Sequence, residues 1–213
     1  MYLNTYSASR SGHNFVTSTI KSWFPNEILE LNSGENIIIS EIGENNCKEG
    51  IKVLIIRDFL NWAASYHMMI TPMLEKENVH RYNSAFKNLL RVYKELIEEY
   101  VESTHFHPDV KVYYNKFRDD KEYRKEICEK LGGEYTEIVL EYIPRAGRGS
   151  SFDKDRFQGR ASQMTTNTRY KEVDKYPEDF KRILRENIDL FERWKEVFGA
   201  TEEELEFINS LNN

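Results

Sequence analysis

The stretch that most constrains this chain is IKVLIIR, residues 51–57. Apart from Lys52 it is apolar from Ile51 to Ile56, and it is rich in β-branched residues. A strand with apolar residues at both odd and even positions needs cover on both faces, and a parallel sheet flanked by helices supplies it. Short β-branched or aromatic runs at YLNTYSA (2–8), NIIIS (36–40) and DVKVYYN (109–115) read as its neighbours. Between them, residues 13–23, 58–70, 81–101 and 121–132 carry helical patterns. The third shows Phe86, Leu89, Leu90, Tyr93, Leu96, Ile97 and Val101 at helical spacing, and the fourth ends at a glycine C-cap signal. Strands alternating with helices predict an α/β fold, a three-layer sandwich around a central, mainly parallel sheet.

The remainder fits one domain spanning 1–213. A weaker strand pattern, EIVLEYI (137–143), leads into a Gly, Ser and Arg-rich segment at 144–168, and residues 177–199 read as one long amphipathic helix opened by Pro177 and closed by Gly199. No internal repeat is visible, and 213 residues with 39% hydrophobic content are enough for a single buried core. The net charge of −6 argues against a general nucleic-acid binder. No stretch approaches the run of about 20 apolar residues that a bilayer span needs, and no charged start precedes an apolar run. Cys47 and Cys128 stand far apart without CxxC spacing, so the expectation is a soluble, cytoplasmic protein without a disulfide framework.

The chemistry concentrates at the turn after the first strand. In YSASRSGHNF (6–15) an Arg-Ser-Gly turn joins strand to helix, where backbone N–H groups can cradle an anion. A Walker A loop would need Lys followed by Ser or Thr after its last glycine, but Gly12 is followed by His13 and Asn14. The plainer alternative is an ordinary turn with Ser11 as the helix N-cap. A second motif, VLIIRDFLNWAASYHMM (53–69), ends a strand at Arg57 and places Ser65 eight residues on, in the next helix.

With both motifs in this order, the chain resembles the sulfotransferases that use 3′-phosphoadenosine 5′-phosphosulfate (PAPS), whose fold is related to that of the P-loop NTPases. In that family the Arg and Ser of the second motif bind the 3′-phosphate, and Arg57-Asp58 and Ser65-Tyr66 match at the family spacing. The other family signature is a Lys-or-Arg-Ser-Gly-Thr-Thr loop for the 5′-phosphosulfate. Arg10-Ser11-Gly12 matches its first half, while His13 and Asn14 replace the threonines. The resemblance implies that Arg10, Ser11, Gly12, His13, Asn14 and Phe15 line the 5′ side. It implies Tyr114 near the adenine, and a basic loop carrying Arg148 and Gly149 that closes over the 3′-phosphate within a mobile segment at 144–168. TRYKEVDKYPEDFKRIL (168–184) looks like the closing turn and helix of bacterial members.

The implied reaction is in-line transfer of a sulfuryl group to a hydroxyl or amine of a small molecule or glycan, with PAP, adenosine 3′,5′-bisphosphate, as product and no metal requirement. Arg10 and the helix N-terminus would stabilise charge on the departing phosphate oxygen. The acceptor's proton needs a base. Glu41, directly after the expected strand 36–40, is the first candidate and His13 the second. A P-loop kinase for a small metabolite, or a noncatalytic nucleotide-binding protein with a sulfotransferase fold, are the competing readings. Of the remaining features, His105 and His107 in HFH show no third metal ligand, and Trp23-Phe24 reads as core.

Overall fold

The computed structural model describes residues 1–35, 48–75, 79–102, 105–137, 163–164, 166–172 and 177–211. Four strands, β1 (Tyr2–Ser7), β2 (Glu30–Glu35), β3 (Gly50–Ile56) and β4 (Val110–Tyr113), form one parallel sheet in the order β2-β1-β3-β4. The register sets Tyr6 opposite Leu54 on one side and Gly34 on the other, and Ile55 opposite Val112.

Alternation along the central strands explains the apolar run. Ile51, Val53 and Ile55 of β3, with Leu3 of β1, pack on Val16 and Ile20 of α1 (His13–Ser22). Phe117 of α4 (Tyr114–Asp119) and Ile127 of α5 (Lys121–Leu131) complete that layer. Leu54 and Ile56, with Tyr6, face the opposite way onto Phe59 and Trp62 of α2 (Phe59–Glu75) and Phe86 and Tyr93 of α3 (Val79–Glu102). Behind these lie Phe180 of α6 (Glu178–Glu186), Trp194 of α7 (Ile188–Phe198) and Phe207 of α8 (Glu202–Ser210). Both faces of β3 are covered, as its sequence requires. Among the described residues no helix is long and apolar enough to cross a membrane.

Four elements differ from the sequence expectation. β2 falls on ELNSGE, a poor strand sequence by propensity. Its Gly34 is explained by a close approach: a Cβ there would lie 2.3 Å from the Tyr6 ring of the neighbouring strand. The strand expected at 36–40 lies outside the described residues, as does nearly all of that expected at 137–143. The strand expected over 109–115 stops at Tyr113, and Tyr114 opens α4 instead. The single helix expected over 177–199 is two, α6 and α7. Asn187 breaks it at φ −125°, its side chain donating to the Ile183 carbonyl at 2.8 Å, so local side-chain bonding competes with helix continuation. Finally, α8 is opened by a capping box in which Thr201 accepts from the Glu204 N–H and the Glu204 carboxylate accepts from the Thr201 N–H.

Candidate anion-binding site

The parallel sheet sets the C-terminal ends of β1, β3 and β4 side by side, where open α/β sheets gather their ligands. After β1 the chain turns through Arg10 (φ 72°) and Gly12 (φ 82°), both left-handed, and enters α1. A side chain at Gly12 is doubly excluded, because a Cβ there would also lie 2.0 Å from the Tyr114 ring. The Ser11 N–H donates to the Ala8 carbonyl at 3.2 Å, and from α2 the Trp62 indole N–H donates to the Ser9 carbonyl at 2.9 Å.

Ser11 is not the N-cap. That position is Gly12, with no side-chain cap at all, and the fully buried Ser11 Oγ has no hydrogen-bond partner among the described residues. The left-handed turn at Gly12 is what displaces the hydroxyl from capping geometry. The first N–H groups of an α-helix have no intrahelical acceptor, so an uncapped start at the C-terminal end of an interior strand favours an anion.

At the end of β3, Arg57 is 2% exposed. Its Nη1 donates to the Arg10 carbonyl at 3.1 Å and to Ser65 Oγ at 3.2 Å, and its Nη2 donates to the Thr166 carbonyl. Arg169, on the short 3-10 turn Arg169–Lys171, donates from Nη1 to the same Ser65 Oγ at 2.7 Å. The neighbouring carboxylate, Asp58, is already occupied. It accepts from the Asn61 N–H and side-chain amide at 2.7 and 2.8 Å and from the Asn115 amide at 2.9 Å, leaving Arg57 Nε 3.7 Å away. Burial, and next the charge of Arg169, lower the Arg57 pKa to about 10, with Asp58 opposing them. Two buried guanidiniums converging on one hydroxyl favour an anionic guest.

Tyr114 joins the two halves. Its ring touches Gly12, lies 5.3 Å from the Arg57 guanidinium carbon and meets Phe15 edge-on at 6.3 Å. The Tyr93 hydroxyl donates to the Arg57 carbonyl, tying the end of β3 to α3. Of the 144–168 segment, Met164 and Thr166 are docked through their carbonyls on Arg118 and Arg57, and the Asn167 amide donates to Asp119 at 2.6 Å.

The structure thus brings together Arg10, Ser11, Gly12, Phe15, Arg57, Ser65 and Tyr114. His13 is placed differently, with Nε2 2.6 Å from Thr5 Oγ1 and 3.3 Å from Ser33 Oγ, where burial lowers its pKa to about 4. Its imidazole stays neutral and links α1 to β1 and β2. Asn14 is exposed. Glu41, Arg148 and Gly149 lie outside the described residues. Sequence reading missed Arg169, Asn61 and Arg118. Asp58, one residue before a helix and three before Asn61, carried a readable N-cap signal, but nothing local marked the other three.

The HFH turn has a structural explanation. The Glu99 carboxylate accepts from the backbone N–H groups of His105, Phe106 and His107 at 3.0, 2.9 and 3.3 Å. Among the described residues no group of three or more His, Cys, Asp or Glu is arranged to hold a metal ion. Comparison with protein-family models, curated proteins and solved structures finds no match for this chain.

Proposed function

We propose that this protein transfers a sulfuryl group from PAPS to a hydroxyl or amine of a small molecule or glycan. One observation carries the reading: Arg57 and Ser65, singled out by the resemblance to the sulfotransferases, lie 3.2 Å apart beside the uncapped start of α1, with Arg169 on the same hydroxyl. That is a buried cationic cluster next to an uncapped helix start, which suits a ligand with two separated anionic groups.

The residues fit such a donor chemically. Arg57, Ser65 and Arg169 would take the 3′-phosphate, exchanging the carbonyls of Arg10 and Thr166 for phosphate oxygens. The N–H groups at Gly12 and His13, with the Ser11 hydroxyl, would take the 5′ group. When bound, PAPS supplies the sulfuryl group and leaves as PAP. The chain's own contribution is to hold the phosphate ends and to stabilise charge at the 5′ oxygen through the α1 N-terminus and Arg10. Glu41 remains the proposed base. His13, neutral and hydrogen-bonded to Thr5, is poorly placed to compete without leaving that contact. A kinase is disfavoured because no lysine follows Gly12 to reach terminal phosphates.

The test is binding of PAP, measured by thermal shift and calorimetry. PAP raises the melting temperature more than ATP at equal concentration, because ATP lacks the 3′-phosphate. Arg57→Ala weakens PAP by about 1.5–3 kcal/mol, the worth of a charge-assisted contact. Equal PAP affinity in wild type and Arg57→Ala would refute the placement. Release of PAP from PAPS in the presence of a hydroxyl or amine acceptor, lost in Glu41→Gln, tests the chemistry separately.

A further inference from the structure

Asn61 reaches the anion pocket without lining it. It is fully buried in the first turn of α2. Its Oδ1 accepts from the backbone N–H groups of Arg169 and Tyr170 at 2.5 and 3.3 Å, while its Nδ2 donates to Asp58 Oδ1 at 2.8 Å. This combination requires an amide, since an ionised carboxylate could not donate to Asp58 and an apolar side chain could do neither. The turn it holds is three residues long: Tyr170 packs edge-on against Phe207 at 5.3 Å and Lys171 pairs with Glu203, while the N–H groups at its start bond to the Asn61 amide. Arg169 stands on that turn, with its guanidinium on Ser65 Oγ at 2.7 Å.

We infer that Asn61 is a positioning residue for the anion pocket. By bridging Asp58 to the amides of the distant 3-10 turn, it holds Arg169 opposite Arg57. The inference rests on reading Arg57, Ser65 and Arg169 as an anion site. It adds that Arg169 is brought to the pocket from the C-terminal part of the chain, with the Asn61 amide bridging the turn that carries it to Asp58. Arg57 needs no such help, because it stands at the end of a central strand with its carbonyl tied to Tyr93.

The experiment titrates inorganic sulfate, a dianion that does not itself titrate near neutral pH, into the full chain by calorimetry at constant ionic strength. Arg57→Met, Arg169→Met, Asn61→Leu and the double variants are compared, with melting temperature followed in parallel. Asn61→Leu weakens sulfate about tenfold, the scale of one or two lost hydrogen bonds. Adding Arg169→Met to Asn61→Leu costs less than about twofold more, whereas Arg57→Met keeps most of its effect in that background, because Arg169 stands on the turn that Asn61 holds while Arg57 meets Asn61 only through its 3.7 Å approach to Asp58. A general loosening of the fold would blunt both arginines alike. If both arginines matter and Asn61→Leu multiplies independently with Arg169→Met, the positioning role is overturned and the anion site stands. If neither arginine affects sulfate affinity, the site reading and the positioning role fall together. Should Asn61→Leu fail to fold, Asn61→Ser, whose hydroxyl is too short to span from Asp58 to both amides, enters the same cycle with the same expectation.

Discussion

Replacing Gly12 by alanine probes the loop from two directions at once. The backbone there sits at φ 82°, and an L-residue in the left-handed region costs about 1–2 kcal/mol. The new methyl would also lie 2.0 Å from Tyr114 Cε2 and 2.1 Å from Cδ2, far inside contact distance. Tyr114 is 6% exposed and cannot swing aside without leaving Arg57 and Phe15, so the overlap adds an overpacking cost of about 1–3 kcal/mol. Together these give about 2–5 kcal/mol, a large part of the total stability of a typical domain. Urea unfolding followed by far-UV circular dichroism reads this as a lower midpoint at unchanged slope. A cycle with Tyr114→Ala separates the contributions: without the ring, Gly12→Ala should cost only the backbone share of about 1–2 kcal/mol. A Gly12→Ala protein within about 0.5 kcal/mol of wild type, the range of an ordinary surface substitution, would refute the left-handed turn packed on Tyr114. The same variant should lose PAP binding, since the ring and loop cannot both keep their places.

Two further outcomes test the rest of the fold. Burial holds the His67 imidazole at about 4 instead of 6.5, with Nδ1 2.7 Å from the Tyr82 hydroxyl. The unfolded chain therefore takes up the proton first, and stability that is complete above 6.5 is lost as the pH falls through 4, by up to about 3 kcal/mol. His67→Phe should flatten this acid limb in urea midpoints measured across that window, and an unchanged slope would show that His67 does not titrate as its burial requires. Asn4, fully buried in β1, donates to the Lys48 carbonyl at 2.8 Å and accepts from the Asn32 amide at 2.7 Å and the Lys48 N–H at 3.1 Å, stitching β1 to β2 and to the entry of β3. Asn4→Ala leaves these groups unpaired and should cost about 1–3 kcal/mol or more in the same denaturation assay, while a neutral result would contradict the network.

The α/β reading was legible because it rests on periods that neighbours in the chain impose on one another. Apolar character at both odd and even positions of 51–56, broken only by Lys52, can be satisfied only by cover on two faces, and helical spacing in 81–101 only by one buried stripe. Helix ends were partly legible for the same reason. Gly132 does close α5 in the left-handed conformation, and the capping box at Thr201 and Glu204 stood in the sequence unread. The break at Asn187 and the strand at 30–35 were not legible. The first depends on one side chain bonding back to Ile183, and the second on the Tyr6 ring of another strand accepting Gly34 as its neighbour.

For the site, the sequence by itself determined the local pairings: a turn of Arg10, Ser11 and Gly12 at a helix start, and Arg57 eight residues before Ser65 on a strand and its following helix. Tertiary structure alone decided that these two pieces meet, with Arg57 on the Arg10 carbonyl, because the adjacency of β1 and β3 is a property of sheet order, not of chain distance. It also decided that Ser11 caps nothing, that His13 turns toward Thr5, and that Tyr114 seals Gly12 against Arg57. Arg169 arrives there from more than a hundred residues away, held by the Asn61 amide. Such a contact leaves no periodic trace in the sequence, since it is set by which surfaces the sheet's two covered faces force together.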